Sequence, residues 1–293
     1  MELGRVGIWT TAFDRHPSRE AQAAAHELEE LGYPAIWLNE AIGRDPLVMA
    51  ALLLAVTSRI TVATGIANIY ARDAMTAAAA QKTLAEAYPD RFLLGLGVSS
   101  PALVAKLRGH DYSRPLSYMR SYLDAMDRAP FNAVGPTKPP ARVLGALGPK
   151  MLKLAASHAN GAHPYLTTPE HTHMSREILG SEAWLAPEQK VLLETDPSVA
   201  RAIGRSAISY YLRAPGYLAN LRRLGFDDDD WADPTAASDR LVDAMVAWGG
   251  VDEIVNRVRE HHDAGADHVA VQVLRGDQEI PLAEWRELAP ALL

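Results

Sequence analysis

Asn39 and Glu40 stand at the end of an apolar run, where a parallel sheet collects reactive side chains. They follow the run Ala35–Leu38, and a carboxylate in that position could act as a general acid or base if burial raised its pKa toward neutrality. The structural alternative is a carboxylate that caps a helix or pairs with Arg44 and shapes the loop. Glu40 is therefore the candidate catalytic residue, and Asn39 is a candidate cofactor ligand.

His163 and Tyr165 form a second polar group, in the sequence GAHPY. A histidine and a phenol at a strand end could face a bound aromatic ring, although a single histidine beside a strand more often has a structural role. His171 and His173 are two positions apart on a predicted helix and point to different faces, so they make a poor metal pair. The acidic tract 227–230 lacks the alternating ligands and turn glycine of a calcium loop. The sequence predicts no metal site.

A glycine-rich turn before a helix could bind an anion. Its sequence GALGPK leads directly into a helix in which Pro149 is the expected first residue. Free N–H groups and the positive end of the helix dipole favour a phosphate there, glycines let it approach the backbone, and Lys150 could add charge. The alternative is a tight turn without a ligand, since short glycine motifs are common. The candidate cofactor ligands are Gly145, Ala146, Leu147, Gly148, Pro149 and Lys150.

Two strand-to-helix units lie back to back between residues 58 and 100. The β-branched run Ile60–Thr64 and the apolar run Phe92–Leu96 flank an alanine-rich helix, Ala74–Tyr88. Strand, helix and strand of this length indicate a parallel βαβ unit, whose ligand sites lie at the carboxyl ends of the strands. Further candidate cofactor ligands are Gly65, Ile66, Ala67, Gly97, Val98 and Ser99.

The same alternation continues along the chain and predicts eight strands interleaved with helices. Over 293 residues this favours a (β/α)8 TIM barrel of the α/β class, a fold of roughly 250 residues, over an open sheet. No repeat or low-complexity linker divides the chain, so residues 1–293 are expected to form a single domain. The long segments 99–142 and 210–251 are expected over the carboxyl face as a lid, or as packing or dimer contacts. The predicted strands are Val6–Trp9, Ala35–Leu38, Ile60–Thr64, Phe92–Leu96, Arg142–Leu147, Gly161–Tyr165, Lys190–Glu194 and His268–Leu274, and a helix is predicted over 237–248.

Composition and charge exclude several classes of function. A net charge of -7 with scattered Lys and Arg argues against a nucleic-acid partner. The absence of cysteine excludes a thiolate nucleophile, a disulfide scaffold and cysteine-ligated metal. No signal-peptide pattern opens the chain, and the longest apolar run, Met49–Val56, is too short to span a bilayer. We expect a cytoplasmic protein without membrane contact, and GxSxG and HExxH motifs for a hydrolase are absent.

The chain resembles the bacterial luciferase-like flavin and deazaflavin oxidoreductases, in particular the branch that depends on coenzyme F420. The likeness covers nearly the whole length and rests on four segments together: TGIANIYARDAMTAAAAQKTL, PDRFLLGLGVS, GALGPKMLKLAASHANGAHPYLTTPEH and AGADHVAVQVL. They are similar to the family's third strand with its helix, its fourth strand, its phosphate-binding turn through the sixth strand, and its last strand.

This resemblance implies a (β/α)8 barrel, often dimeric, that holds a deazaflavin or isoalloxazine ring in its mouth, so a homodimer is expected. In many members a non-prolyl cis peptide forms a bulge behind the ring, and Gly65–Ile66 matches that position. The implied reaction moves a hydride between C5 of coenzyme F420 and a small organic substrate. The alternatives are a two-component monooxygenase that uses reduced FMN and oxygen, and a non-catalytic flavin-binding protein.

Two positions depart from the family pattern. Many members carry an acid and a histidine after the second strand, whereas Glu40 is followed here by Ala41. No residue therefore matches the histidine that assists proton or hydride chemistry. The usual Ala-Asp-Gly before the sixth strand is replaced by Asn160-Gly161, a small change at a capping position.

Overall fold

A computed structural model describes residues 1–293 and shows helices alternating with parallel strands along the chain. Several helices begin at an aspartate whose side chain accepts N–H groups of the first turn, as Asp45, Asp73 and Asp196 do. The strands are β1 Val6–Thr10, β2 Ala35–Leu38, β3 Thr61–Thr64, β4 Ala67–Asn68, β5 Phe92–Gly97, β6 Arg142–Leu144, β7 Gly161–Ala162, β8 Trp184–Leu185, β9 Glu188–Leu193, β10 Val246–Gly249 and β11 Val269–Val273. The α-helices are α1 Ser18–Glu30, α2 Pro46–Leu54, α3 Ala74–Ala87, α4 Pro115–Arg128, α5 Pro149–His158, α6 Pro169–Leu179, α7 Pro197–Ser209, α8 Pro215–Arg223, α9 Asp239–Met245, α10 Val251–Asp263 and α11 Leu282–Leu292.

The strands close into an eight-stranded parallel barrel, which confirms the predicted fold. β1 pairs with β2, β2 with β3, β3 with β5, β5 with β6, and β6 with β7. β8 and β9 together make the seventh strand of the ring, because only Ala186 and Pro187 separate them, β8 pairs with β7, and β9 pairs with β11. β11 returns to β1, with Val269 opposite Val6, and closes the ring.

One edge of the seventh strand has two neighbours in succession. The N–H groups of Ala186 and Glu188 donate to the carbonyl oxygens of Ala162 and Pro164 at 2.9 and 2.8 Å, so this edge first follows the segment that contains β7. From Lys190 onward β10 pairs with β9, while β11 holds the opposite edge. β10 therefore occupies the edge that β7 leaves free.

β10 corrects the sequence interpretation, which placed a helix over 237–248. Helix α9 ends at Met245, and the next residues, with β-branched Val246 and aromatic Trp248, are extended. Four residues are too few to reveal a period of two against the helical pattern on both sides. The prediction of a continuous helix there is wrong.

Other boundaries differ by a few residues. The predicted fifth and sixth strands end early, at Leu144 and Ala162, and the predicted seventh begins earlier, at Glu188. The long segments contain elements that periodicity did not reveal, including α8 and a π-helical stretch, Ala102–Leu107. The helices surround the ring and bury a continuous core of 40 residues. No helix is both long and apolar enough to cross a bilayer.

Aromatic rings fill the barrel interior. The buried Trp37 donates its indole N–H to His268 Nε2 at 3.0 Å and stacks on His163, with ring centroids 4.3 Å apart. Burial lowers the pKa of both histidines to about 4, so both rings are neutral at pH 7. Gly7 on β1 makes room, because a Cβ there would lie 2.8 Å from the His268 ring. The interior is packed, so a ligand must bind at the strand ends.

We expect Gly95→Ala to lower the free energy of unfolding by about 1–3 kcal/mol, the usual cost of overpacking. A Cβ at Gly95 in β5 would overlap the backbone carbonyl oxygen of Thr64, which cannot turn aside as a side chain can. Gly216→Ala is the control, since its Cβ would meet no atom within 4 Å. Urea unfolding of both variants measures the effect, and equal midpoints would contradict the expectation.

Candidate cofactor and substrate site

The carboxyl ends of the parallel strands meet at one face of the barrel, and nearly all of the predicted site residues lie there. This follows from the barrel topology, because all strands of the ring run in the same direction. The predicted residues at these strand ends are Asn39, Glu40, Gly65, Ile66, Ala67, Gly97, Val98, Ser99, Gly145, Ala146, Leu147, Gly148, Pro149, Lys150 and Tyr165. His163 lies deeper, against Trp37, with its Nδ1 bonded to the Ala186 carbonyl at 2.7 Å.

Gly65 and Ile66 form a bulge between β3 and β4. The peptide bond between them is cis, as the family resemblance implies, and the Gly65 carbonyl accepts the indole N–H of Trp9 at 2.8 Å. The Ile66 side chain fills space beside Gly97 and Gly145: a Cβ at Gly97 would overlap it, and one at Gly145 would lie 3.1 Å from it. Gly145 therefore makes room for Ile66, a contact that the sequence did not reveal. The bulge presents an apolar surface at the mouth.

Glu40 is held by an arginine from the next strand end. Its Oε1 accepts Arg72 Nη2 at 2.6 Å, and its Oε2 accepts Arg72 Nη1 at 2.8 Å and the Asn68 N–H at 2.6 Å. The Glu40 and Arg72 side chains are 7% and 8% exposed. A bidentate pair of this kind is among the stronger charge-assisted contacts, so Glu40 links the ends of the second and third strands.

Arg44, the partner that the sequence suggested for Glu40, binds elsewhere, and that interpretation is wrong. Its backbone N–H donates to Asp14 Oδ1 at 3.2 Å, and its guanidinium donates to the His16 carbonyl. The Asn39 amide also faces Asp14, at 3.3 Å. The loop after β2 is therefore pinned to the loop after β1, which leaves Glu40 to Arg72.

The turn before α5 has free donors, as the sequence predicts for an anion site. Gly148 is the N-cap residue and Pro149 opens the helix, with no side chain bonded to the exposed N–H groups of the first turn. The neutral ring of His171, whose pKa burial lowers to about 4, supports the turn from below by donating from Nε2 to the Leu147 carbonyl at 2.9 Å. The N–H groups that donate to no acceptor in the protein are those of Ala146, Leu147, Gly148 and Lys150.

One residue of α8 beside this turn, Arg223, was missed by the sequence analysis. A Cβ on Gly148 would lie 3.8 Å from the guanidinium of Arg223, which pairs with no carboxylate, whereas its neighbour Arg222 binds Asp228. Asn220, one helical turn before Arg223, is 1% exposed, and both polar atoms of its amide lack a partner. No sequence signal joined Arg223 to the turn, because α8 lies far along the chain from α5.

A buried ion pair on the other side of the mouth was also missed. Lys190 Nζ lies 3.0 Å from Glu188 Oε1 and 2.9 Å from Gln272 Oε1, and both charged side chains are at most 1% exposed. Tyr165 donates to Gln272 at 2.9 Å and meets the Tyr211 hydroxyl at 2.9 Å. The available signal was two charges at alternate positions of an apolar strand, which places both on one face.

Both long segments bring tyrosines to the mouth. Tyr112 donates to the Ser99 carbonyl at 2.9 Å, and Tyr118 stacks on Tyr70 with centroids 4.6 Å apart. From the second segment, Tyr211 packs against Tyr217 with centroids 5.1 Å apart. Burial raises the pKa of Tyr112 and Tyr211 to about 12, so these hydroxyls stay protonated at pH 7. The placement agrees with the expected position of these segments over the carboxyl face.

A cavity of about 330 Å³ opens beside this mouth, at the ends of β9 and β11. Its one cation, Arg275, is already paired with Asp277 and Glu284. The cavity therefore lacks a free positive group for a phosphate, in contrast to the turn before α5.

Comparison with known proteins places this geometry in a family. A coenzyme F420-dependent oxidoreductase of Mycobacterium tuberculosis, so named provisionally, is 25% identical over 97% of this chain and 98% of that protein. The fold matches an F420-dependent secondary alcohol dehydrogenase, with a TM-score of 0.77, 13% identity and complete coverage of both chains. It also matches the FMN-bound oxygenating constituent of 3,6-diketocamphane monooxygenase from Pseudomonas putida, with a TM-score of 0.71, 14% identity and 99% coverage of each chain.

The model of one enzyme family matches residues 4–268, most of the chain. The chain belongs to the luciferase-like monooxygenase family.

Proposed function

We propose that this enzyme is an oxidoreductase that uses coenzyme F420 and acts on a small organic substrate. The observation that carries the proposal is the presence of two surfaces on the same face of the barrel: the apolar bulge at Ile66, after the third strand of the ring, and the turn before α5 with its free N–H groups, after the fifth. A flat ring with a phosphate-bearing chain needs both. The M. tuberculosis relative, named for dependence on F420, supports this choice of coenzyme.

The residues at these surfaces fit such a coenzyme. Four unpaired N–H groups at a helix N-terminus, with the free guanidinium of Arg223 beside them, match a phosphate. The Ile66 side chain, seated beside two glycines, offers an apolar support for the ring. When bound, the deazaflavin supplies the hydride chemistry at C5, and the protein binds it, orients it and excludes water.

The proposed alternative is a two-component monooxygenase that uses reduced FMN and oxygen. FMN also carries a three-ring system and a phosphate, and the FMN-bound structural neighbour supports this second candidate. A non-catalytic flavin-binding protein is the candidate from another class. We infer tighter binding of F420 than of FMN, because the provisional F420 relative aligns over nearly the whole chain.

Parallel titrations with F420 and FMN, followed by protein and coenzyme fluorescence, test this choice. We expect saturable F420 binding and weaker FMN binding, and Arg223→Met should weaken F420 binding roughly tenfold by removing a charge-assisted contact to the phosphate. Arg222→Met is the matched control, because Arg222 already binds Asp228 and is exposed; its affinity should change less than about twofold. Tighter FMN binding would favour the monooxygenase, and an unchanged Arg223 variant would exclude the phosphate placement.

Glu40 is the proposed catalytic group. Arg72 and the Asn68 N–H hold its carboxylate in place at the mouth, and a general base must be fixed within hydrogen-bond reach of the proton that it removes. Glu40→Gln keeps the shape of the side chain and should lower turnover by roughly 10²–10⁴-fold, with F420 affinity nearly unchanged. Steady-state kinetics with any accepted substrate measure this, and turnover near that of the wild type would leave Glu40 with only the structural role of binding Arg72.

We also propose that the chain acts in the cytoplasm as a homodimer of single-domain subunits. Val48 and Leu52 lie four residues apart on α2, Val56 lies just beyond its end, and the three side chains are 61%, 38% and 40% exposed, which makes an apolar patch without a partner in the monomer. Leu52→Glu should convert the dimer to a monomer in sedimentation experiments. The control is Val199→Glu, at an equally exposed apolar position on α7. A wild-type monomer would contradict the proposal.

A further inference from the structure

The ion pair of Lys190 and Glu188 lies inside the barrel, where the proposed coenzyme contacts do not use it. Charges this deeply buried are costly unless every donor and acceptor is satisfied. Lys190 Nζ has three partners: Glu188 at 3.0 Å, Gln272 at 2.9 Å, and the face of the Tyr165 ring, 3.9 Å from its centroid. Glu188 in turn accepts the Leu166 N–H at 2.9 Å. The pair is complete and fixes the groups around it.

These contacts set the direction of a chain of hydrogen bonds. The Lys190 ammonium can only donate, so the Gln272 amide must turn its oxygen toward it. That oxygen also lies 2.9 Å from the Tyr165 hydroxyl, which must therefore donate to it. Because the Tyr165 proton is committed, the Tyr211 hydroxyl at 2.9 Å must donate to Tyr165. The Tyr211 hydroxyl has then used its proton, so its oxygen can only accept a further hydrogen bond.

The position of this chain of hydrogen bonds relates it to the proposed coenzyme surface. In a ring of eight strands the third and fourth strands face the seventh and eighth across the barrel. Ile66 stands at the end of the third, whereas Lys190 and Gln272 stand on the seventh and eighth. Trp9 connects the two sides, because its ring lies 4.9 Å from that of Tyr165 and its indole N–H binds the Gly65 carbonyl. A ring resting on Ile66 would turn its free face toward the tyrosines.

We propose that Tyr211 is a specificity-determining residue whose hydroxyl oxygen accepts a hydrogen bond from the substrate, so that the site prefers a hydroxyl-bearing molecule to the corresponding ketone. Lys190, Gln272 and Tyr165 are positioning residues that hold the Tyr211 proton away from the substrate. The inference rests on the proposed function for the location of the substrate. It names the substrate class as an alcohol.

The test compares a matched pair of probes, cyclohexanol and cyclohexanone, on the protein loaded with whichever of F420 and FMN it binds. Ligand-observed NMR gives the two dissociation constants. We expect the alcohol to bind about 3- to 10-fold more tightly in the wild type, as one net hydrogen bond allows. Tyr211→Phe should abolish this preference without changing coenzyme affinity.

Tyr165→Phe separates positioning from packing. It frees the Tyr211 hydroxyl to rotate and donate, so ketone binding should improve and the preference should shrink while both probes still bind. The control Tyr210→Phe, at a half-exposed neighbour whose hydroxyl has no partner, should keep the preference of the wild type. Equal binding of both probes to the loaded wild type, or a preference that survives Tyr211→Phe, would overturn the Tyr211 proposal alone. Absence of binding by both coenzymes would overturn the proposed function and this inference together.

Discussion

Closure of the parallel strands into a ring is the constraint on which the mouth of this barrel depends. The seventh strand must reach from β7 to β11, and it does so as two short pieces that meet at Ala186 and Pro187. Its backbone bonds the segment of β7 first and β10 afterwards along the same edge. All strands of the ring run in the same direction, so their carboxyl ends deliver side chains distant in sequence to one face.

The charged groups at that face follow the rule that buried charges must be paired. Glu40 with Arg72 and Glu188 with Lys190 stand on opposite walls, and each carboxylate also accepts a backbone N–H, from Asn68 and from Leu166. Each pair thereby ties two segments together: the ends of the second and third strands in one case, and the loop after β7 with the seventh strand in the other. Arg223, by contrast, is a cation without a carboxylate partner beside unpaired N–H groups, and that difference is what supports the proposed anion site.

Local sequence patterns were enough to predict the barrel and the turn before α5. Strand runs such as Ala35–Leu38 can be identified from their apolar composition. Free N–H groups are expected at the start of any helix, and the sequence Gly148-Pro149 indicates where α5 starts. The predictions that failed concerned contacts between residues distant in sequence, or segments too short to show a period. Val246–Gly249 is four residues of strand between helices, and the partner of Glu40 depends on which of two arginines the fold delivers.

The glycines at the strand ends also show that the sequence does not reveal contacts between distant residues. At Gly145 the sequence suggested that a ligand approaches the backbone closely, but nothing local revealed that Ile66, from a different strand, packs beside both Gly97 and Gly145. Likewise, Arg223 reaches the turn only because the fold brings its guanidinium beside Gly148. The sequence thus predicted where space and donors would lie, and the tertiary fold decided which side chain fills or faces them.

Ile66, Gly97 and Gly145 lie at three strand ends and share one packed volume, which the Ile66 side chain fills. A methyl group added at either glycine requires the isoleucine to shift, whereas a smaller residue at position 66 would release room for alanine at 97 or 145. Evolutionary change at the three sites should therefore be correlated and compensatory. The shape of the apolar surface at Ile66 can then change by exchange of volume among the three side chains, while the strands that carry them keep their register.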